Sequence, residues 1–388
     1  MGILSNTVSF SQYRLMGEVP AENRFEWASE CLRKNAFRSI EAGGEELSVG
    51  WVHVDDSREA NFESPQSFWR DRYLVFTLRR DQRKVPGALL RAHLRLAEQR
   101  FLNENPGLKR VPKQKKEELR EVVQGSLLAR TLPIPATYDV VWDLEGGLIT
   151  VASLSPKVME LFEAVFRRTF EGLRPVVLHP YGRASQVVAD DLKPGLEKAN
   201  GAGSEAVLDL IDGNRWIGQD FLLWLLHRTV SSNSEYGVNR PGTAVEGERF
   251  VAYLNDRFVL QGGDDNGPQK VTIAGPQSSF EEVRATLATG KQFGEAVIYL
   301  EKAELEWRFL LKGATFQFGS FRSPRVTLER DSITDEASEK EAAFHERMHV
   351  VEEGLQLFDS LLATFLAERL QEGWIQTEGA ARSWIGGE

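Results

Sequence analysis

A chain of 388 residues with 41% hydrophobic and 27% charged side chains is too long for one growing core and too apolar for disorder, so two or more folded domains are expected. Its one cysteine, Cys31, excludes an internal disulfide framework and any multi-cysteine metal cluster, and fits the reducing cytoplasm. A formal net charge of −10 repels polyanions on average, which argues against a nucleic-acid partner unless the charge is segregated.

Met1 to Asn6 places no basic stretch ahead of an apolar core, so no secretory signal is expected, and the longest apolar run, Phe221 to Leu226, is far short of the ~18 residues a membrane span needs. Asp71 to Leu78 is rich in β-formers and predicts a strand. There the charge changes sign: from Arg79 to Arg120 stand 13 Lys and Arg against 5 Asp and Glu, while the rest of the chain holds 34 against 52. Such segregation is the footprint of a polyanion site on an acidic body. Pro86 opens a helix with Leu90, Leu94, Ala97 and Phe101 at helical spacing and Arg91 and Arg95 one turn apart. Past Asn105-Pro106-Gly107 a second helix runs from about Lys113 to Leu128, expected to pack through Leu119, Val123 and Leu127 and to present Lys113, Lys116 and Arg120 on one face.

Tyr138 to Leu154 predicts a hairpin turning at Glu145-Gly146-Gly147, followed by a helix that Ser155 caps and Pro156 opens. Asn200 to Ser204 predicts a linker, and Gln219 to Val230 a mostly buried helix in which Trp224 belongs to the core. Beyond it, Arg249 to Leu260 predicts a hairpin turning at Asn255-Asp256, and Ser279 to Glu282 a capping box for a helix that stops at Gly290. Strands are expected at Ala296–Leu300, Leu305–Leu311 and Thr315–Phe318. Finally Phe344, Met348, Val351, Leu355, Phe358, Leu362 and Phe365 repeat at strict 4,3 spacing, the seam of one long helix; core packing and a coiled-coil or dimer contact both fit it. The expected fold is therefore α+β and multi-domain, with antiparallel sheets, a basic two-helix arm and a long C-terminal helix.

The one catalytic string is His345-Glu346-Arg347-Met348-His349, which fits the pattern of zinc peptidases: two histidines one helical turn apart share a metal and Glu346 serves as base. The pattern is short, no third ligand is identifiable, and Met348 belongs to the apolar seam, so a zinc hydrolase stands as the alternative reading. The acidic pairs Asp55-Asp56, Asp190-Asp191 and Asp264-Asp265 offer a nuclease its magnesium, yet acids in loops are ordinarily solvated. There is no nucleophile elbow and no phosphate-binding glycine loop, so an enzyme is not the primary expectation.

In order along the chain stand Tyr13-Arg14-Leu15, Gly50-Trp51-Val52, Arg83-Lys84-Val85-Pro86, Lys113 and Lys116 ahead of Leu119-Arg120, Ser126 to Arg130, and Trp142-Asp143 before Gly147-Leu148-Ile149. In these pieces the chain resembles the RdgC family of recombination-associated proteins. Two departures stand out: residues of about 200 to 245 read as an insertion, and Ala274-Gly275-Pro276-Gln277 occupies a turn expected to be basic. The resemblance implies an RdgC-like α+β domain over 1–198 carrying the arm at 79–130, a helical insertion at 205–245, and a second α+β unit over 246–388. It further implies a nucleoid-associated homodimer whose ring encloses double-stranded DNA without sequence preference and limits access by the strand-exchange recombinase. Lys84, Arg91, Lys113, Lys116, Arg120 and Arg130 would be the phosphate contacts. Binding through phosphates needs only placed cations, so no cofactor is implied.

Overall fold

Eleven helices and thirteen strands form among the described residues, 2–43, 45–264, 267–325 and 336–387 of a computed structural model. The described pairings between strands are antiparallel, and the fold is α+β with two units. Unit 2, Glu18–Val141 with Ala164–Gly172, interrupts unit 1, which takes Met1–Gly17, Trp142–Glu163 and Leu173–Glu388. This division differs from boundaries at 198 and 246, because strand β1 (Thr7–Met16) pairs with strands from far along the chain.

Unit 2 comprises α1 (Arg24–Lys34), β2 (Leu47–Val52), β3 (Trp69–Arg70), β4 (Tyr73–Gln82), α2 (Gly87–Glu104), α3 (Lys113–Arg130) and most of β5 (Ile134–Asp143). Its strands lie in the order β5-β4-β2, with β3 also on β4. Tyr73 to Leu78 is buried at every position, the pattern of a strand covered on both faces. Trp51 stands edge-on to Phe76 at 4.8 Å and donates from Nε1 to Thr169 Oγ1 at 2.7 Å, so its one polar atom is satisfied in the core. Residues 35–37 run along β2, Phe37 N donating to Trp51 O and Trp51 N to Asn35 O. Gly50 permits this: a Cβ there would lie 2.5 Å from the backbone of Phe37.

In unit 1 the strand order is β10-β9-β11-β12-β13-β1-β6, with β7 on β1 and β8 on β9. These are β6 (Leu148–Val151), β7 (Arg174–Val177), β8 (Glu235–Gly237), β9 (Arg249–Asp264), β10 (Gly267–Ala274), β11 (Gln292–Lys302), β12 (Leu305–Lys312) and β13 (Gln317–Arg322). The helices are α4 (Pro156–Thr169, its end in unit 2), α5 (Pro180–Val187), α6 (Lys193–Ala199), α7 (Val207–Gly213), α8 (Arg215–Val230), α9 (Glu281–Ala288), α10 (Glu336–Arg369) and α11 (Trp374–Gly386). All seven seam residues of α10 are buried, and so are Leu357, Leu361 and Leu366 between them. Phe358 meets Phe318 at 5.2 Å, Phe316 at 5.7 Å and Phe221 of α8 at 5.8 Å. The seam is thus intrachain core, and the stretch 205–245 supplies that core with α8, whose Trp224 is 1% exposed. No helix among the described residues is long and apolar enough to cross a membrane.

Two local expectations are corrected. Asn255-Asp256 is no hairpin turn: β9 continues through it, and Phe258 faces Ala296 while Leu254 faces Ile298, so the extra residues form a bulge. Ser279 caps no helix either, since α9 begins after Phe280, which holds a left-handed φ of 55° without a side-chain cap bond.

His179 caps α5, Nδ1 accepting from Gly182 N at 3.3 Å, and burial holds its imidazole below the ordinary 6.5. The unfolded chain therefore takes the proton first, so His179 favours folding fully above pH 6.5 and progressively less below it. Urea unfolding on both sides of that pH is expected to show a drop that His179→Asn, which keeps a capping oxygen, reduces. An undiminished drop in that variant would assign it to other groups.

Candidate nucleic-acid interface

Two prolines set the arm. Pro86 and Pro112 precede α2 and α3 with φ of −59° and −57°, each ending an extended lead-in where the helix starts. The expected stripes face one another, but only Leu127 and Leu128 are buried in α3 and no side chain is buried in α2. Apart from Leu127 the stripe residues are half-buried, and beside them Leu96 and Val122 stay 52% and 69% exposed. Between the helices lies a groove of about 640 Å³ with Leu96, Phe101, Leu119 and Val123 along it and Arg100, Lys115 and Arg130 at its rim.

Lys84, Arg91, Lys113, Lys116, Arg120 and Arg130 are all exposed. They are not electrostatically equal. Lys116 Nζ lies 3.1 Å from Glu98 Oε1 on α2, spanning the helix pair rather than facing away from it. Among the described residues the other five make no ion pair. Several further cations of the basic stretch are committed internally. Arg79 forms a bidentate pair with buried Asp81 at 2.7 Å per bond, which raises the guanidinium above its usual value. Lys115 meets Glu118 at 2.8 Å and lies 5.9 Å from the centre of the Phe101 ring.

Arg83 is 5% exposed, and carbonyl oxygens surround it. Its guanidinium donates to Thr131 O at 2.5 Å, Ile40 O at 2.6 Å, Gly43 O at 3.0 Å, and Glu41 O and Glu45 O at 3.1 Å. One side chain at the start of the arm thereby grips the residue where α3 ends, together with the loop before β2. Nothing in the sequence separates Arg83 from Arg79, Arg80 or Lys84; only the fold does.

The His345 string lies on α10 in unit 1. His345 is half-buried, with Nε2 3.9 Å from Glu341, while Glu346 and His349 are exposed. Between them Arg347 and Met348 point into the core, Arg347 donating to Ile3 O and Ser323 Oγ, and burial pulls its guanidinium down to about 10. Among the described residues no three His, Cys, Asp or Glu side chains converge on a site that could hold a metal, and the zinc-peptidase reading finds no support. Asp55, Asp56 and Asp190 are paired with Arg70, Arg58 and Lys193; Asp265 lies outside the described residues.

No curated protein matches the chain. A family model described as "Putative exonuclease, RdgC" matches residues 9–207, from within β1, through the whole arm, to the first residue of α7. The match takes in Tyr13 to Leu15 on β1, Gly50 to Val52 on β2, the Arg83 to Pro86 lead-in and the two cationic helices, over more than half of the sequence. On that extent the chain belongs to the RdgC family, which is recombination-associated.

Proposed function

We propose that this protein binds duplex DNA through backbone phosphates, without reading sequence, by means of the α2–α3 arm. The observation that carries the reading is the exposure of six cations on an arm that interrupts an otherwise acidic chain. Lys84, Arg91, Lys113, Arg120 and Arg130 are the primary contacts, and Lys116 joins them if phosphate displaces Glu98. Phosphate recognition by placed cations carries no base information, which is why sequence indifference follows. The protein acts as a dimer that encloses DNA in a nucleoid-associated ring and limits access by the strand-exchange recombinase. With the α10 seam buried, Leu96 and Val122 on the arm are among the exposed apolar side chains that self-association could cover.

A salt series on random-sequence duplex tests this. Five to six phosphate contacts give a log-log slope of about −4.5 to −5.4. Equal affinity across sequences, a dimer mass in sedimentation and DNA left intact with magnesium present are the expected results. Absence of binding at low salt refutes the reading, and nucleotide release would make the chain an exonuclease instead.

A further inference from the structure

Unit 2 holds a second group of cations outside the arm. Lys34 ends α1, Asn35 follows it, Arg38 lies on the next loop and Arg168 comes from the last turn of α4. With Ser48 of β2 they line a hollow of about 300 Å³. Lys34 is held 2.8 Å from Glu30, so the lysine is raised and the glutamate lowered from their usual values. Arg38 and Arg168 are exposed and make no ion pair among the described residues. Ser48 Oγ donates to Arg38 O at 2.6 Å, fixing the loop beside the strand.

Cations at helix C-termini ordinarily answer the carbonyl end of the dipole. That accounts for Lys34 and Arg168. It does not account for Arg38, which sits in a loop, nor for the hollow the three share. The hollow is also close to the arm's root: Ser48 pairs with Asp81 and Leu47 with Gln82, one residue before Arg83.

We propose that this hollow is a phosphate site, in which the Arg38 and Arg168 guanidiniums grip one phosphoryl group of a nucleic acid and continue the track of the arm. Planar forked donors suit a phosphoryl group's oxygens better than a lone ammonium does, and the Lys34–Glu30 pair leaves the two arginines as the uncommitted charge. That the phosphate belongs to DNA rests on the proposed function; the anion site itself does not. The phosphate could come from within the backbone or from a strand's 5′ end.

The test compares the full-length protein with Arg38→Gln/Arg168→Gln, both arms of the assay at matched thermal stability. On a duplex closed by hairpins at both ends, loss of the one backbone phosphate that the two arginines share makes the salt slope shallower by about 0.9 and lowers affinity at 0.1 M salt roughly 8-fold. A loss confined to open duplexes bearing 5′-phosphates supports the same site with a terminal phosphate as its ligand. Arg38→Gln alone, away from both helix ends, gives about half the change in slope. If the double variant binds closed and 5′-phosphorylated duplexes as the parent does, the two arginines hold no phosphate and the proposal is overturned. Should the parent bind no DNA, the DNA-binding reading fails, and titration with inorganic phosphate decides the site. Saturable binding lost in the double variant upholds it; none in the parent overturns it.

Discussion

Reversing Lys113, Lys116 and Arg120 to Glu is expected to make the salt slope of DNA binding shallower by about 1.8, or about 2.7 where phosphate displaces Glu98 from Lys116, and to cut affinity at 0.1 M salt about 60- to 500-fold from counterion release alone. Three exposed cations are removed from α3, and each phosphate contact contributes about 0.9 to the slope. The loss falls equally on all sequences because none of the three reads bases. Repulsion by the new carboxylates weakens binding further. Stability should change little, since the half-buried Leu119 and Val123 and the buried Leu127 carry the packing, although the Lys116–Glu98 pair becomes a like-charge contact. A control needs cations that hold nothing else. Lys302 and Arg308 are unsuitable, being paired with Glu248, Glu353 and Asp256, whereas Lys157, Lys198 and Arg249 are exposed and free of ion pairs among the described residues. Equal weakening by the control triple would mean that net charge, not a located interface, governs binding.

Arg83→Met is expected to act oppositely on slope and stability. The substitution keeps a long apolar stem but takes the donors from five carbonyls. Water can reach those of the exposed residues 41, 43 and 45; Ile40 is buried and Thr131 partly so. Two charged hydrogen bonds of ~1.5–3 kcal/mol each put the cost at about 3 to 6 kcal/mol of unfolding free energy. Arg83→Lys restores charge without the fork and should recover only a minor part. Amide exchange should quicken across residues 84–131 more than in β4. DNA affinity should fall because the arm is no longer held, while the salt slope stays, since Arg83 is buried and touches no phosphate. A cost below ~1 kcal/mol, or a slope that moves with affinity, would show that Arg83 does not position the arm.

The arm was legible because its signals are local: two prolines, apolar residues every three or four positions, and cations crowded between Arg79 and Arg120. What those cations do was not, because Glu98 lies 18 residues before Lys116, and the bond between them exists only once two helices pack. The same distance problem hid the hollow, whose Arg38 and Arg168 share no motif. Asn255-Asp256 misled because residues that favour turns also suit a bulge, and the neighbouring strand's Tyr299, whose hydroxyl donates to Asp256 at 3.0 Å, lies far along the chain. On α10 the 4,3 repeat alone fits an interface or a core. Leu357, Leu361 and Leu366 make the helix apolar on more than one side, as a buried helix is.

The interruption of unit 1 by unit 2 also sets an order of events on the ribosome. Every residue of unit 2 has been made by Gly172, but β1 needs β13: Ser11 Oγ accepts from Gln317 Nε2, 306 residues later. At ~5–20 residues per second, that partner emerges roughly 15 to 60 s after β1 does. Strands β6 and β7 arrive early and cover part of β1, at Ser11 to Met16, leaving Thr7 to Phe10 with an open edge for the remainder. Phe10, fully buried in the finished protein against Phe318 and Phe321, is apolar surface that the nascent chain carries uncovered for most of its synthesis.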